Sequence, residues 1–558
     1  MPHTKKEFSI VPIGGTGEIG KNCTVFEYGE RTFVIDCGLS FPDYHMFGID
    51  IVIPDFTYIV KNQKKLKAII LTHGHEDHIG SLPYLLTQID PVPIYATRLT
   101  LGLIENKLAE WNLIDKCPMM EIEPGHPFHV DGITVEAFRV THSIPDSVSL
   151  AFHTQAGIYL HSGDFKIDPH PIDGKFTDEA GLAKLGKQGV LLLLCDVTNV
   201  ERTGHTGSES VVGPALKKIF TTAPGRIFTT TFASNIHRVQ QVIDLSAKYN
   251  RKVALVGRSM VGNGAMAREL GYLKVDDSML IDVSEIDKFP QNRLSIVVTG
   301  SQGEPMSALS QIARDEHRVR IVPGDLVIFS ASPIPGNETA IYGIINDLFK
   351  KGAQVVYGQE YGVHVSGHGS QEDITKYIGL VKPKFVMPVH GQYRHQMRFM
   401  RLATDLGYSS DEVIIGELGD KWTVSEKGAF LKEKVKAGVT LIDGISIGEV
   451  GGGILKERLQ LAEDGMIVFS CVLSKDGKRI IHGPEVFTKG FLPEKSKYEF
   501  FEDLKNSAEE AIFNNRQRSH EFRLQLRNNV AAVMKKTIFS ATHLTPVILV
   551  LISYIDSD

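Results

Sequence analysis

The tightest constraint on this chain is His73-Gly74-His75-Glu76-Asp77-His78, placed straight after the apolar run Ala68-Ile69-Ile70-Leu71. Such a run reads as a strand, the imidazole-rich stretch as a loop, and Ser81-Leu82-Pro83-Tyr84-Leu85-Leu86 as part of a helix behind it. Three imidazoles and a carboxylate packed this tightly are costly to bury unpaired, and a divalent cation is their natural partner. Neutral imidazole and carboxylate without thiolate suit Zn²⁺ or Mn²⁺. The five cysteines (Cys23, Cys37, Cys117, Cys195, Cys471) contain no C-x-x-C pair, which argues against zinc–thiolate sites and fits a reducing cytosol.

At 558 residues the chain exceeds what one hydrophobic core organises, so two or three domains are expected. Its 42% hydrophobic and 23% charged residues exclude a disordered chain or a fibrous repeat. The net charge of −6 gives no general pull toward nucleic acid, so any such binding must use local cations or metal ions. Residues 1–7 are polar, and no signal peptide is expected. The late apolar run Pro546–Ile555 is about half the ~20 residues a membrane helix needs and reads as a buried strand. A cytoplasmic protein without membrane contact is the expectation.

Residues 8–40 read as strands around a Gly-rich turn, and further strands are expected at Thr134–Val140, Ile158–His161 and Val190–Cys195, several ending in His or Asp. From about residue 209, short apolar runs (RIFTTTF, RKVALVG, RLSIVVTG, DLVIFSA) alternate with helical periodicity, which implies a parallel α/β unit. Residues 449–558 read as a third unit, with Gly451–Gly453 as its linker. Within 512–536, Arg516, Arg518, Arg523, Arg527, Lys535 and Lys536 face only Glu521; a solvated helix face is the favoured reading, with an RNA- or partner-facing surface as the sharper one.

The H-x-H-x-D-H string, followed by His142 in RVTHSIPDS, Asp164 in LHSGDFK and His390 in MPVHGQYRH, resembles the metallo-β-lactamase superfamily. More than two hundred positions separate Asp164 from His390, and the α/β unit filling them resembles the β-CASP insertion of nucleic-acid-processing members. The strings GGTGEIGKN, FGIDIVIPD, THGHEDHIGSLPYLL, TFASNIHRVQQ, TGSQGEP, FSASPIPGNE, HVSGHGS and PVHGQYRH are similar to the ribonuclease J family, whose ending the last stretch, TIFSATHLTPVILVLISYIDSD, does not match. The resemblance implies an αββα sandwich over 1–208 and 366–448, a β-CASP domain over 209–365, a linker over 449–455 and a small α+β domain over 456–558.

It also implies two divalent ions, Zn or Mn, in each subunit. His73, His75 and His142 would hold the first and Asp77, His78 and His390 the second, with Asp164 bridging; Asp36 would orient the ligand loop from behind. Asp77, Asp164, Asp196 and His364 would be catalytic, His364 acting as the acid with Asp196 assisting a two-metal hydroxide attack on the phosphodiester. Three Gly-rich loops would take a 5′-monophosphate, through His364, Val365, Ser366, Gly367, His368 and Gly369, through Ser301 and through Ser332, while Ala233, Ser234, Asn235, His237 and Arg238 at a helix start would hold RNA backbone. Simple N-capping by Ser234 or Asn235 competes with a ligand role there. Ser370 and Asp373 have capping-box spacing. A structural calcium would use Gly48, Asp50 and Asp443, against the reading of surface turn acids. The implied activity is 5′-to-3′ exoribonuclease and endoribonuclease action in RNA decay and rRNA or mRNA maturation. The implied assembly is a homodimer or homotetramer, with partners in an RNA-degradation complex. Competing readings are a β-CASP DNA nuclease, a purely endonucleolytic RNA processor, a small-molecule hydrolase and a silent RNA-binding subunit.

Overall fold

Apolar residues alternate along Ile133–Arg139, whereas Val190–Asp196 is buried along its whole length, the patterns of a strand near a sheet edge and of one covered on both faces. The computed structural model describes residues 7–43, 45–334, 337–444, 446–491, 498–514 and 520–555. It divides into two compact units, residues 1–41 with 51–440 and residues 42–50 with 441–558.

In the first unit, eight strands form one sheet in the order Gly428–Lys434, Asp420–Ser425, Phe8–Gly14, Cys23–Tyr28, Arg31–Ile35, Leu66–Ile70, Ile94–Ala96, Met119–Glu121. Six form a second, in the order Phe385–Val389, Val190–Asp196, Gly157–His161, Val148–Thr154, Ile133–Arg139, Phe128–Val130. Their inner faces share one core. Phe8 stacks on Tyr159 with ring centroids 3.6 Å apart, Phe26 meets Phe152 edge-on at 5.0 Å, and the Tyr159 hydroxyl donates to the Val424 carbonyl at 2.8 Å. On the outer face of the six-stranded sheet lie helices Glu179–Gln188, Gln371–Val381 and Tyr393–Asp405, through Leu182, Tyr377 and Phe399. This is the expected sandwich.

The expected parallel unit is a five-stranded sheet in the order Lys252–Val256, Leu294–Val298, Ile227–Thr230, Leu326–Phe329, Gln354–Val356, parallel throughout. All its strands run one way, so the loops Phe232–Asn235, Thr299–Glu304 and Ser330–Ile334 leave from one edge, where parallel sheets gather ligand loops.

The second unit has a three-stranded sheet in the order Ile480–Lys489, Met466–Ser474, Val547–Ile555. Leu504, Ala508 and Ile512 from helix Tyr498–Phe513, and Leu526, Val530, Met534 and Ile538 from helix His520–Thr542, recur at four-residue spacing and cover Ile467, Phe469, Cys471, Leu473, Val550 and Ile552. Val547–Ile555 is thus the expected strand, but Leu549 and Leu551 on its other face are exposed. Within the linker expected over 449–455, residues 452–455 open helix Gly452–Asp464, and the compact unit takes in residues from 441. Among the expected cations, Arg527 donates to the Ile552 carbonyl at 3.0 Å and Arg523 lies 4.3 Å over the Tyr554 ring; Arg516 and Arg518 fall outside the described residues. No described helix is long and apolar enough to cross a membrane.

Candidate metal centre

Each strand of the sandwich that ends near the centre delivers its polar residue within a few positions. Ile70 is followed by His73 and His75, with helix Glu76–Ile79 carrying Asp77 and His78; Arg139 is followed by His142, His161 by Asp164, and Val389 by His390. Two donor sets result, His73–His75–His142–Asp164 and Asp77–His78–Asp164–His390, each with its ligand atoms within 4.8 Å of one another. Asp164 belongs to both. Its carboxylate lies 3.2 Å from His78 Nε2, 3.4 Å from His390 Nδ1, 3.6 Å from His73 Nε2 and 3.7 Å from His142 Nε2. The structure therefore brings together all seven ligands expected from the sequence.

Four of the five imidazoles are anchored through Nδ1. His78 Nδ1 donates to Asp36 at 2.7 Å, His142 Nδ1 to the Gly367 carbonyl at 2.7 Å; His73 Nδ1 meets Thr72 Oγ1 at 3.0 Å, and His390 Nδ1 meets Thr198 Oγ1 at 2.9 Å. These partners leave Nε2 of His73 and His142 facing Asp164 and Nε2 of His390 facing Asp77 at 3.1 Å, while His78 Nε2 lies 3.2 Å from Asp164 and 3.0 Å from the Asn22 amide. His75 is reversed: its Nε2 faces Ser143 at 3.4 Å, and its Nδ1 lies 3.1 Å from His73 Nε2 and 3.0 Å from His142 Nε2. Burial, with neighbouring imidazoles adding to it, holds His73 and His142 well below their ordinary pKa; burial brings His75 down to about 4. Neutral rings presenting lone pairs to one point need a cation between them, so the donor set fits divalent metal.

In the second set burial works the other way from charge. Asp164, Asp36 and Asp77 outweigh it at His78, and Asp164, Asp196 and Asp77 outweigh it at His390, whose pKa is pushed up to about 10. Asp164 is held well below the carboxylate range because His390, His78 and His368 together outweigh its burial. Asp36 lies behind His78: its two oxygens accept from the Thr72 N–H and hydroxyl, both at 2.8 Å, and from His78. Gly38 is required beside it, because a Cβ there would lie 1.6 Å from the Asp77 carbonyl oxygen.

His364, expected as the acid, is not the histidine that meets Asp196. His368, four residues on, places Nδ1 2.8 Å from Asp196 and 3.8 Å from Asp164 and joins His390 in a third cluster. Burial disfavours its charge, but Asp196 and Asp164 prevail and its pKa is raised. His364 instead sits among Arg238, Glu209 and Lys166. Burial and then Arg238 lower its pKa to about 3, and its buried Nδ1 has no partner among the described residues. Nothing in HVSGH distinguishes its two histidines by spacing.

Arg238 is also corrected. It is fully buried, pairs with Glu209 and donates to the Ser330 and Val363 carbonyls, at 3.2 and 2.7 Å. Asn235 caps its helix by accepting from the Arg238 N–H at 3.0 Å, the competing reading for that turn. Ala233 and Ser234 stay partly exposed on the same turn. Ser301 is buried; its neighbour Gln302 ties two loops together, donating to the Ser332 carbonyl at 2.9 Å and accepting from the Ile334 N–H at 2.7 Å. Ser370 and Asp373 form the expected capping box. The Gly369 N–H is taken by the Phe165 carbonyl at 2.6 Å, whereas the N–H groups of Val365, Ser366 and Gly367 find no acceptor among the described residues.

The calcium set is not a free cage. Arg458 binds Asp443 at 2.5 Å and the Phe47 carbonyl at 3.0 Å, so a guanidinium holds the carboxylate meant for the ion. A Cβ on Gly48 would meet that guanidinium at 2.6 Å, and Asp50 accepts from the Gly444 N–H at 2.7 Å.

Sequence reasoning missed the polar residues that hold the ligands. Asn22 donates to the Asp77 carbonyl at 3.1 Å, and Thr198 joins Asp196 at 2.7 Å to His390. Asn22 lies in the quoted GGTGEIGKN string, but one amide carries no signature of its own.

The sandwich, its parallel insertion and the shared donor sets define a metallo-β-lactamase-type hydrolase of the β-CASP group. Family models agree: "Metallo-beta-lactamase superfamily" matches residues 16–230, "Ribonuclease J, beta-CASP domain" 224–348, "Zn-dependent metallo-hydrolase RNA specificity domain" 353–415 and "Ribonuclease J C-terminal domain" 453–555. Curated relatives include ribonuclease J of Thermus thermophilus, 43% identical over 97% of this chain and 94% of that one, and ribonuclease J of Synechocystis, 42% identical over 86% and 75%. Ribonuclease J2 of Bacillus subtilis is 40% identical over 87% of each. A solved structure from Enterococcus faecalis V583, titled a protein of unknown function, shares the fold with a TM-score of 0.52 at 16% identity, over 75% of this chain and 100% of that one. The chain belongs to the ribonuclease J family, a family of metal-dependent ribonucleases. The match over 453–555 also includes the ending that looks foreign from sequence.

Proposed function

We propose that this chain hydrolyses RNA from a 5′-monophosphate end, releasing mononucleotides in the 5′-to-3′ direction, and cuts internally at the same centre. The carrying observation is the pair of donor sets sharing Asp164, with the Asp196–His368 couple beside them. The donors suit two ions, Zn²⁺ or Mn²⁺: His73, His75, His142 and Asp164 for one, Asp77, His78, His390 and Asp164 for the other. Bound there, divalent cations supply the positive charge that lowers the pKa of a water and draws charge from phosphoryl oxygens.

Asp164 sets the separation of the two pockets, and Asp36, Thr72, Thr198 and the Gly367 carbonyl keep the imidazoles aimed. Hydrolysis adds a water oxygen to phosphorus and breaks the bond to the ribose 3′-oxygen, which must take up a proton. His368, whose pKa Asp196 and Asp164 raise against its burial, is placed to give it, and a 5′-phosphate is left on the next nucleotide. The unpartnered N–H groups of Val365, Ser366 and Gly367, one to three residues before His368, offer a cradle for a terminal phosphate.

The test uses end-labelled RNAs that differ only in a 5′ hydroxyl, monophosphate or triphosphate, with DNA counterparts. Mononucleotide release from the monophosphorylated RNA above all others is the expected result. Equal cleavage of DNA, or internal cuts alone, would replace this reading with a DNA nuclease or an endonucleolytic processor.

A further inference from the structure

We infer that the outer face of helix Tyr393–Asp405 is a second RNA contact surface, which grips the phosphate backbone of a long strand outside the metal centre; this rests on the ribonuclease reading above. The helix begins three residues after His390, so the surface adjoins the centre. Its inner face is pinned. His395 Nδ1 accepts from the Gln392 N–H at 3.0 Å, Gln396 donates to the Gly416 carbonyl at 3.1 Å, and Phe399 and Ala403 lie in the core.

That fixes what faces solvent: Arg394, Arg398 and Arg401, at i, i+4 and i+7, with Tyr393 and Met397 on the same side, 58% and 43% exposed. Arg394 is neutralised by Glu201. Arg398 and Arg401 are exposed, and neither has a carboxylate in ion-pair contact among the described residues; Asp405, one turn beyond Arg401, does not pair with it. In a chain of net charge −6, two uncompensated guanidiniums within one turn mark a place where an anion is expected. Guanidinium forks match phosphate oxygens, and an exposed tyrosine ring gives a base a face to stack on. The apolar part is two side chains, too little for a protein partner held by hydrophobic contact and enough for a nucleobase.

The experiment compares the unaltered enzyme with R398E/R401E, R398K/R401K and Y393A, on a long single-stranded 5′-monophosphorylated RNA and on a 5′-phosphorylated dinucleotide as the shortest substrate. For the long RNA, R398E/R401E should weaken binding. The slope of log affinity against log salt should fall by about 1.4, at about 0.7 for each phosphate contact on a single strand. Turnover of the dinucleotide and the melting temperature should stay unchanged, R398K/R401K should keep most of the slope, and Y393A should weaken binding without changing it. An unaltered slope in R398E/R401E overturns the proposal. So does an equal loss on the dinucleotide, which would make the arginines structural, or loss of binding to an acidic peptide with RNA affinity intact. Failure of the unaltered enzyme to cleave either RNA would count against the ribonuclease reading instead.

Discussion

Asp36→Asn is the most informative single change at the centre. Asp36 is wholly buried and accepts three hydrogen bonds, two from Thr72 and one from His78 Nδ1. An asparagine can keep the bond from the Thr72 N–H through its carbonyl oxygen, and the Thr72 hydroxyl can turn to accept. His78 has no such freedom. An amide N–H facing Nδ1 requires that nitrogen to accept, which moves the ring proton to Nε2, the atom aimed at Asp164 and the second pocket. A ligand in the wrong tautomer cannot coordinate. Loss of a supporting partner of this kind costs about 10- to 100-fold in metal affinity, or about 1.4–2.7 kcal/mol. Titration against a competing chelator should show the second ion bound that much more weakly, with activity regained at high metal concentration. Thr72→Val, which keeps the acid, should cost less. Unchanged metal affinity in a normally folded Asp36→Asn would refute the view that this carboxylate sets the His78 tautomer.

Three further outcomes follow from the geometry. His368→Ala should lower kcat by about 10²- to 10⁴-fold with metal content intact, while His364→Ala should act mainly on KM; the reverse pattern in steady-state kinetics would restore His364 as the acid. Exhaustive chelation should abolish cleavage and lower the melting temperature, and metal at a thousandfold excess over its dissociation constant should return about 4 kcal/mol. Arg238→Met leaves Glu209 buried and unpaired, which should cost about 3–5 kcal/mol in denaturant unfolding rather than act on RNA affinity. Arg238 and Lys166 outweigh burial and hold Glu209 below its ordinary pKa, so its contribution is present above about pH 4.3 and lost as pH falls through the depressed value; acid unfolding of the unaltered chain should steepen there, and that of Arg238→Met should not.

The clustered donors were legible because imidazoles and carboxylates gather at strand ends, and each sits where a run of apolar residues stops. The parallel insertion was legible for a similar reason, since fully buried strands such as Leu294–Val298 read as unbroken apolar runs. The errors fall where chemistry is set by partners distant in the chain. Whether His364 or His368 meets Asp196 depends on how one loop lies over another strand's end. Arg238 looks like an RNA contact until Glu209, twenty-nine residues earlier, is seen to claim it. Asp443 reads as a free acid until Arg458 takes it. Gly451–Gly453 reads as a linker because glycine disfavours helices, yet the helix through Gly452 and Gly453 forms all the same.

The strand Phe385–Val389 closes one edge of the six-stranded sheet, lying parallel to Val190–Asp196, and only then does the chain deliver His390. During synthesis, a nascent polypeptide carries six of the centre's ligands for more than two hundred residues before the seventh emerges. Until residue 390 has been made, the second donor set lacks one of its four members.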